Sequence, residues 1–161
     1  MTWADAVWIA ETIYMYLPAY IANATPVVLG GGAALDGGRR WLDGKPLLGD
    51  HKTVRGAVSG LAAGSVVGII QMRPLIGILL SVGAIGGDII VSFIKRRIDL
   101  EPGAMFPVAD QMGFIVFAVI LASFVEPLTW ERVVAILAAT FPIHYLTNVI
   151  AWLLNLKSKP W

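Results

Sequence analysis

Residues 74–97 read PLIGILLSVGAIGGDIIVSFIKRR, a long apolar run that ends in three consecutive basic residues. The apolar part, residues 74–94, contains a single ionisable side chain, that of Asp88. A helix of about 20 mostly apolar residues is long enough to cross the hydrocarbon core of a bilayer. The stretch therefore predicts a transmembrane helix that carries one carboxylate within it and a basic cluster at one end.

The composition of the whole chain extends this prediction. Of the 161 residues, 57% are hydrophobic and only 14% are charged, whereas about 25% are charged in an average soluble domain. A net charge of +1 provides no global attraction for a polyanion, and the lack of cysteine excludes disulfides and thiolate chemistry. These values exclude an ordinary soluble domain, a disordered chain and a nucleic-acid-coating protein. They favour an integral membrane protein with no nucleic acid partner.

Hydropathy divides the chain into membrane spans and polar loops. We predict an all-α polytopic membrane protein with about five transmembrane helices and two cytoplasmic loops, formed by residues 1–161 as a single domain. The predicted spans are residues 6–29, 54–72, 74–94, 111–125 and 132–154.

The distribution of basic residues predicts the orientation in the membrane. The loop after the first span, 30–53, and the loop after the third span, 95–110, hold most of the lysine and arginine. Cytoplasmic loops carry an excess of these two residues. We therefore expect a multi-pass protein of the cell membrane with its N-terminus outside and with its C-terminus and both loops in the cytoplasm.

The second predicted span carries a glycine every four residues, at Gly56, Gly60, Gly64 and Gly68. Such a ladder occupies one helix face and lets another helix approach closely. The pattern favours helix packing within the chain. The alternatives are the interface of a homodimer or a groove for a cofactor.

Polar side chains cluster where the third span meets its loop. Asp88, Ser92 and Lys95 share one helical face. Arg96 follows directly, and Asp110 opens the fourth span, so that two adjacent helices each offer a carboxylate. Mg²⁺ binds one or two carboxylates and completes its octahedron with water and substrate phosphates. The pattern favours a magnesium–phosphate site, the alternative being that Asp88 pairs with a nearby lysine or arginine as a structural contact.

A second group of polar residues lies before the second span. Lys52, Thr53 and Arg55 stand at its N-terminus, where free N–H groups and the helix dipole attract anions. We interpret them as phosphate ligands; the alternative is a solvated basic loop that contacts anionic lipid headgroups. Asn23 lies near Pro26 in the first span, where freed backbone carbonyls could bond a base or a ribose. The alternative there is a kink satisfied by neighbouring helices.

These motifs resemble those of a known superfamily. Residues 87–96 have the form G-D-x-x-x-S-x-x-K-R and are followed by Pro102-Gly103 and then by Asp110. This order resembles the CTP:phosphatidate cytidylyltransferases, also called CDP-diacylglycerol synthases, and residues 52–56 resemble their K-T-x-E-G segment. Within that superfamily, the small size and the K-T-x-R-G form look most like the archaeal CDP-archaeol synthases.

The resemblance implies a chemistry and the residues that carry it. It implies an enzyme that transfers the CMP moiety of CTP to an isoprenoid glycerol ether lipid phosphate and releases pyrophosphate. Asp88 and Asp110 match the aspartates that hold the divalent metal, expected to be Mg²⁺. Lys95 and Arg96 match the basic pair that faces phosphate. Ser92 matches the serine beside this pair.

The remaining predicted residues contact the substrates. Lys52 and Thr53 match the segment that the resemblance implicates in nucleotide binding. We expect Arg55 and Arg97 to contribute to binding the phosphates of CTP and lipid, and Asn23 to contribute to the nucleotide site.

The sequence matches the superfamily pattern incompletely and leaves two alternative functions open. The chain departs from the bacterial and eukaryotic pattern, because residues 106–109 replace His-Gly-Gly, Gln111 replaces an arginine, and Arg55 replaces a glutamate. The main alternative function is a small transporter of an ion or a phosphorylated solute that uses Asp88, and a further one is a non-catalytic membrane scaffold. The absence of a visible internal repeat argues against the commonest transporter folds.

Overall fold

A computed structural model describes residues 2–101 and 104–159, and it contains five α-helices. In chain order the helices are α1 (Trp3–Leu29), α2 (Val54–Ile70), α3 (Pro74–Arg97), α4 (Ala109–Ser123) and α5 (Trp130–Leu153). Over the described residues, extended pairing is limited to two isolated bridges inside the segment 30–53. The predicted all-α fold is confirmed, and every helix boundary lies within a few residues of a predicted span. The Pro102-Gly103 pair of the motif lies outside the described residues.

Two of the described helices, α3 and α5, are long and apolar enough to cross a membrane. Each has 24 residues, and their best 18-residue windows have mean hydropathies of 2.1 and 1.7. Helices α2 and α4 are also apolar but have only 17 and 15 residues. At 1.5 Å per residue these two span about 26 and 23 Å, less than the roughly 30 Å of a bilayer's hydrocarbon core.

Local sequence signals explain where the helices begin. Thr2 and Asp5 form a capping box at the start of α1, in which each side chain accepts from the other residue's backbone N–H. Thr53 Oγ1 accepts from the backbone N–H of Gly56 at 3.1 Å and caps α2. Pro74 begins α3, at a position where its missing N–H costs nothing. The Thr53 cap fixes the residue before it, Lys52, at the start of α2.

The glycine ladder of α2 packs against two helices of the same chain. Its four glycines are the buried residues of this helix. A Cβ on Gly60 would lie 2.6 Å from the carbonyl oxygen of Ala22 in α1, and one on Gly68 would lie 2.4 Å from the Cα of Gly77 in α3. These distances leave no room for a side chain. Close packing within the chain, the interpretation favoured from the sequence, is confirmed.

The core lies where α1, α3 and α4 meet. Leu80 of α3 and Ile115 and Ala118 of α4 are at most 1% exposed. A Cβ on Gly87 would lie 2.4 Å from the carbonyl oxygen of Gly113, so α3 and α4 cross in direct backbone contact. Helix α5 packs on α1 and α4, and only two of its residues are fully buried.

The bundle has two unlike ends. One end, here called the loop end, carries residues 30–53, 98–101 and 104–108 and the described residues that follow α5. At the other, the tight end, residues 71–73 join α2 to α3 and residues 124–129 join α4 to α5. The long polar segments therefore all meet at the loop end, where the predicted site residues also lie.

Candidate active site

The carboxylate within α3 is paired with a lysine at the start of α2. Lys52 Nζ lies 2.5 Å from Oδ2 of Asp88. The two side chains stay partly exposed, at 27% and 35%, so the pair faces an opening rather than the core. A carboxylate in an apolar helix is costly unless it meets a cation, a metal or water. For Asp88 the cation is Lys52, which lies 36 residues earlier in the sequence.

A second pair of the same kind joins α3 to α4. Lys95 Nζ lies 2.7 and 2.9 Å from the two carboxylate oxygens of Asp110. The backbone N–H of Phe106 also donates to Asp110, at 2.8 Å. The chain enters α4 through Val108, whose φ of 67° lies in a region that β-branched residues rarely adopt. This strained backbone stands two residues before the carboxylate that it helps to place.

The backbone contact between α3 and α4 brings the two lysine–aspartate pairs into one neighbourhood. Asp88 follows Gly87 directly, and Asp110 lies one turn before Gly113, its contact partner. With no side chain at either glycine, the two helices approach closely beside both carboxylates. The predicted convergence of two carboxylates from adjacent helices thus depends on this glycine pair.

A small cleft opens beside Asp88. It is bounded by the end of α1, the start of α2, the middle of α3 and the first loop. Its lining includes Pro26, Leu35, His51, Lys52, Thr53 and Asp88. His51 is exposed and lies at the rim of the cleft.

Asp36 organises the first loop. Its carboxylate accepts from the backbone N–H groups of Gly38, Leu48 and Gly49, at 2.9, 2.8 and 3.3 Å. Burial opposes the ionisation of Asp36, but these hydrogen bonds outweigh it and hold the pKa of the carboxyl group below its usual value. The loop is therefore folded around an internal anion and not only around a bound ligand.

Ion pairs fasten the first loop to the end of α3. Lys45 Nζ lies 2.6 Å from Oδ1 of Asp99. Arg97 Nη1 lies 2.7 Å from Oδ1 of Asp43, its Nη2 donates to the carbonyl of Pro46, and its guanidinium lies over the ring of Phe93. Arg97, predicted as a phosphate ligand, thus connects two loop-end segments in this structure.

Three other predicted ligands also direct donors at protein carbonyl groups. Arg96 is buried and donates to the carbonyl of Glu101 at 3.1 Å. Arg55 donates to the carbonyls of Leu29 and Gly30, at the end of α1. The hydroxyl of Ser92 donates to the carbonyl of Asp88 at 2.9 Å.

Two predicted nucleotide-binding residues remain near the cleft but differ in their setting. Thr53 lines it, with its hydroxyl engaged by the backbone N–H groups of Gly31 and Gly56 at 3.1 Å. Asn23 is half-buried on α1, beside Ala22 of the contact with α2, and it is not among the cleft-lining residues. The structure therefore brings together Lys52, Thr53, Asp88, Lys95 and Asp110, and holds the other predicted residues around them.

The donor set suits a hard divalent cation that shares its coordination with a substrate. Within residues 2–101 and 104–159, no group of three or more histidine, aspartate or glutamate side chains is arranged to hold a metal alone. Two carboxylates plus phosphate oxygens and water are what Mg²⁺ ordinarily takes. Each carboxylate is paired with a lysine that phosphate could attract away. Asp88 and Asp110 therefore fit a magnesium ion that arrives with a nucleotide.

Sequence reasoning missed the residues that shape the first loop and one cation near the site. The sequence did not predict the contacts of Asp36 with Leu48 and Gly49 or that of Lys45 with Asp99, because these partners lie 12 or more residues away. Nor did it predict that Lys157 contacts Asn148 on α5. Asn148 in turn bonds to His144 of the same helix.

The fold and the site define a class: an enzyme embedded in the membrane whose polar site opens at one end of a helical bundle. A solved structure described as an intramembrane enzyme for archaeal membrane lipids biosynthesis superposes with a TM-score of 0.82 at 37% identity. The match covers 88% of this chain and 94% of that one.

Sequence relatives identify the family. The family model described as CarS-like, CDP-archaeol synthase, matches residues 6–76 and 72–161. The CDP-archaeol synthase of Pyrococcus furiosus is 41% identical, over 95% of this chain and 98% of its own length. That of Methanopyrus kandleri is 43% identical, over 95% and 94%. The chain belongs to the CDP-archaeol synthase family, as its motifs predicted, and the transporter alternative is not supported.

Proposed function

We propose that the protein transfers CMP from CTP to an isoprenoid glycerol ether lipid phosphate, which forms a CDP-archaeol lipid and pyrophosphate. The observation that carries this proposal is the presence of two ion pairs at the loop end, Lys52–Asp88 and Lys95–Asp110. Lys52 and Asp88 line the cleft, and Lys95 and Asp110 form the second pair on the neighbouring helices α3 and α4. Two carboxylates and two ammonium groups at this end suit a metal-bound triphosphate better than a purely structural contact, because the Lys52–Asp88 pair is partly exposed at an opening.

The two carboxylates would hold the divalent cation. Asp88 and Asp110 come from helices in direct backbone contact, so both can reach one ion. Bound Mg²⁺ would neutralise phosphate charge and polarise the phosphoryl group under attack. In its absence the same carboxylates are balanced by Lys52 and Lys95, which removes the cost of two bare anions at the edge of an apolar bundle.

The two lysines would exchange a carboxylate for a phosphate when CTP enters. A lysine is a compact, mobile charge that binds phosphate well as a point charge. The reaction itself needs little covalent help: an oxygen of the lipid phosphate attacks the α-phosphorus of CTP, and the bond to the β-phosphate oxygen breaks. The attacking oxygen is already anionic near neutral pH. The work of Lys52 and Lys95 is therefore to bring two anions together and align them.

The other predicted residues would act mostly by holding the loops that enclose the substrates. Arg97 fastens the first loop to α3, and Arg96 fixes the residue before the segment 102–103. Arg55 and Thr53 join the end of α1 to the start of α2. We expect Ser92 and Asn23 to contribute contacts to the nucleotide.

We extend the proposal to the arrangement in the membrane. All five helices, as a single domain, would cross the cell membrane, with the loop end in the cytoplasm, where CTP is found, and the N-terminus outside. Because α2 and α4 are short, the site at their N-termini would lie recessed below the membrane surface. The lipid phosphate could then reach it from the bilayer without its chains leaving the apolar region. A homodimer would have to use a face other than the glycine ladder, which α1 and α3 cover.

The test is a turnover measurement with purified protein in mixed micelles. Pyrophosphate release from CTP should require a lipid phosphate and Mg²⁺, and should stop when the metal is chelated. Phosphate lipids with unsaturated isoprenoid ether chains and with ester-linked acyl chains, assayed side by side, separate the two linkages. Release of pyrophosphate without a lipid acceptor, or full activity in a metal chelator, would contradict the proposal.

A further inference from the structure

One face of α5 carries a line of polar side chains that the proposed mechanism does not use. Thr140, His144 and Asn148 follow each other at intervals of four residues; the first is buried and the other two are half-buried. Tyr20 Oη lies 2.6 Å from Thr140 Oγ1, and the ring of His144 stacks on Phe114 of α4 with 6.0 Å between centroids. This face is thus packed against α1, which bounds the cleft, and against α4, which carries Asp110.

The chain beyond α5 returns to this face through one lysine. Lys157 Nζ donates to Oδ1 of Asn148 at 2.7 Å, and Nδ2 of Asn148 lies 2.9 Å from Nδ1 of His144. Lys157 is half-buried, whereas residues 152–156 and 158–159 around it are exposed. Holding a long, flexible side chain in place costs rotamer entropy. The neighbouring lysine of the same segment, Lys159, remains exposed.

The ammonium group of Lys157 lies within the electrostatic reach of the site. Burial lowers its pKa from the usual value; the negative charges of Asp110 and Asp88 counteract this effect, and the positive charges of Lys52 and Lys95 reinforce it. The helix packing agrees with this: His144 stacks on Phe114, and Asn148 on α5 and Asp110 on α4 each lie one turn nearer the loop end. Asn148 therefore holds the ammonium group of Lys157 at about the level of Asp110.

The charges of the site and of its substrates leave a role for the ammonium group of Lys157. Two lysines and two aspartates sum to zero, and a divalent cation adds two positive charges. A nucleoside triphosphate and a lipid phosphate monoester together bring several more negative charges than that, since one phosphate monoester carries about −1.5 to −2 at neutral pH. Further positive charge close to the carboxylates is therefore needed when both substrates are bound.

We propose that Lys157 is a phosphate-binding residue of this site and that Asn148 is its positioning residue. This inference rests on the proposed function, and its ligand is a phosphate group of one of the two substrates. Helix α5 turns most of its surface outward, towards the lipid, so we expect the phosphate of the lipid acceptor. The triphosphate of CTP has the same chemistry and is distinguished by experiment.

The test compares Lys157→Met with the matched control Lys159→Met, a lysine two residues further along the same segment. In the turnover assay we expect K157M to raise KM for the lipid phosphate about tenfold, the weight of one charge-assisted hydrogen bond. Its KM for CTP and its kcat should stay within about twofold of the wild type. K157R should restore most of the loss, and Asn148→Ala should raise the same KM by a smaller factor.

Each other outcome has a defined meaning. A rise in KM for CTP alone supports phosphate binding and assigns Lys157 to the triphosphate. Equal kinetics of K157M and K159M, or a lower melting temperature of K157M with both KM values unchanged, would overturn the inference. Dissociation constants of CTP and of the lipid phosphate, measured without turnover, keep the test valid if the wild type proves inactive. In that event the proposed function fails, and Lys157 is judged by binding alone: a K157M variant that binds both ligands like K159M overturns its role.

Discussion

Helices α3 and α4 are joined by an ion pair at each of their ends. At the tight end Arg73 pairs with Glu126, and at the loop end Lys95 pairs with Asp110 at 2.7 Å. All four side chains are partly buried, and each pair links the same two helices. The surroundings differ: short links lie next to the first pair, whereas the second faces long loops and a further pair, Lys52–Asp88.

The residue types match this difference. An arginine presents a planar fork that suits a fixed carboxylate, whereas a lysine is a point charge that changes partners easily. The tight-end pair therefore suits a permanent structural contact. The loop-end pairs suit carboxylates and ammonium groups that can exchange partners with a metal ion and with phosphates. The same kind of ion pair thus suits a structural role at one end of a helix and, as we propose, a functional role at the other, and residues outside the pair make the difference.

The largest expected effect is a difference in activity between variants of the loop-end carboxylates and a variant of the tight-end carboxylate. Asp88→Asn and Asp110→Asn should each lower kcat by about a thousandfold or more, because each removes a charge that we propose binds the metal and that would be worth several kcal/mol in the transition state. Glu126→Gln, the matched change at the tight end, should keep activity within about threefold. Steady-state turnover of folded protein measures both. Near-normal activity of either aspartate variant would remove the distinction between the two ends.

A charge swap sharpens the same comparison. The double variant R73E/E126R keeps the attraction at the tight end and should fold and turn over within about threefold of the wild type. K95D/D110K also keeps an ion pair, yet it moves the carboxylate from α4 to α3, so its activity should fall by about a hundredfold or more. Turnover and melting temperature of the two variants are compared. Activity retained by K95D/D110K would show that only the attraction between helices matters at the loop end.

A smaller effect on stability is expected at the tight end. Arg73→Met should lower the free energy of unfolding by about 1 kcal/mol, because it leaves a half-buried Glu126 without its partner. Lys95→Met should cost a similar amount of stability but should also reduce turnover. Thermal unfolding in one detergent, together with turnover, separates the two. A loss of turnover in R73M that exceeds its loss of folded protein would mean that the tight end also serves the reaction.

The smallest effect concerns the first loop and its pH dependence. The pKa of Asp36 is lower in the folded protein than its usual value of 3.8, so the unfolded loop binds the proton more readily. The stabilisation by this carboxylate is therefore complete above about pH 3.8 and is lost as the pH falls through the lower folded value. Asp36→Asn should accelerate amide exchange in residues 37–49 at pH 6, and the difference from the wild type should shrink below pH 3.8.

The control for this prediction is Asp50→Asn, since Asp50 is an exposed acid of the same loop. Exchange rates corrected for their intrinsic pH dependence should be alike in D50N and the wild type. A difference between D36N and the wild type that persists unchanged at pH 3 would argue that size or shape, and not the charge of Asp36, orders the loop.

Much of the fold could be predicted because its determinants are local in the chain. Apolar runs of sufficient length predict helices in any membrane context, and Thr53 and Pro74 mark two of their starts with short-range signals. The glycine ladder predicted close packing, since a stripe of small residues has few other uses. The predicted second span, 54–72, extends two residues beyond the end of α2 at Ile70, because hydropathy alone does not fix the residue at which a helix stops hydrogen bonding.

The sequence predicted which residues belong to the candidate site better than it predicted what those residues contact. Asp88 and Asp110 stood out because carboxylates in or beside apolar helices are costly. The partners of Arg55, Arg96 and Arg97 could not be predicted, because a guanidinium bonds any nearby carbonyl, and the carbonyls that it meets depend on how the loops fold. Those roles in phosphate binding stay predictions.

From local composition and spacing, the sequence by itself predicted the membrane environment, the helices and the two carboxylates of the candidate site. Its motifs predicted the family through their resemblance to a known superfamily. The tertiary structure alone decided which lysine faces which aspartate, and that Lys157 returns to the polar face of α5 beside Asn148. The reason is physical: hydropathy acts on each segment separately. An ion pair needs two groups within about 4 Å, and that distance is set by the packing of helices such as α3 and α4 at Gly87 and Gly113.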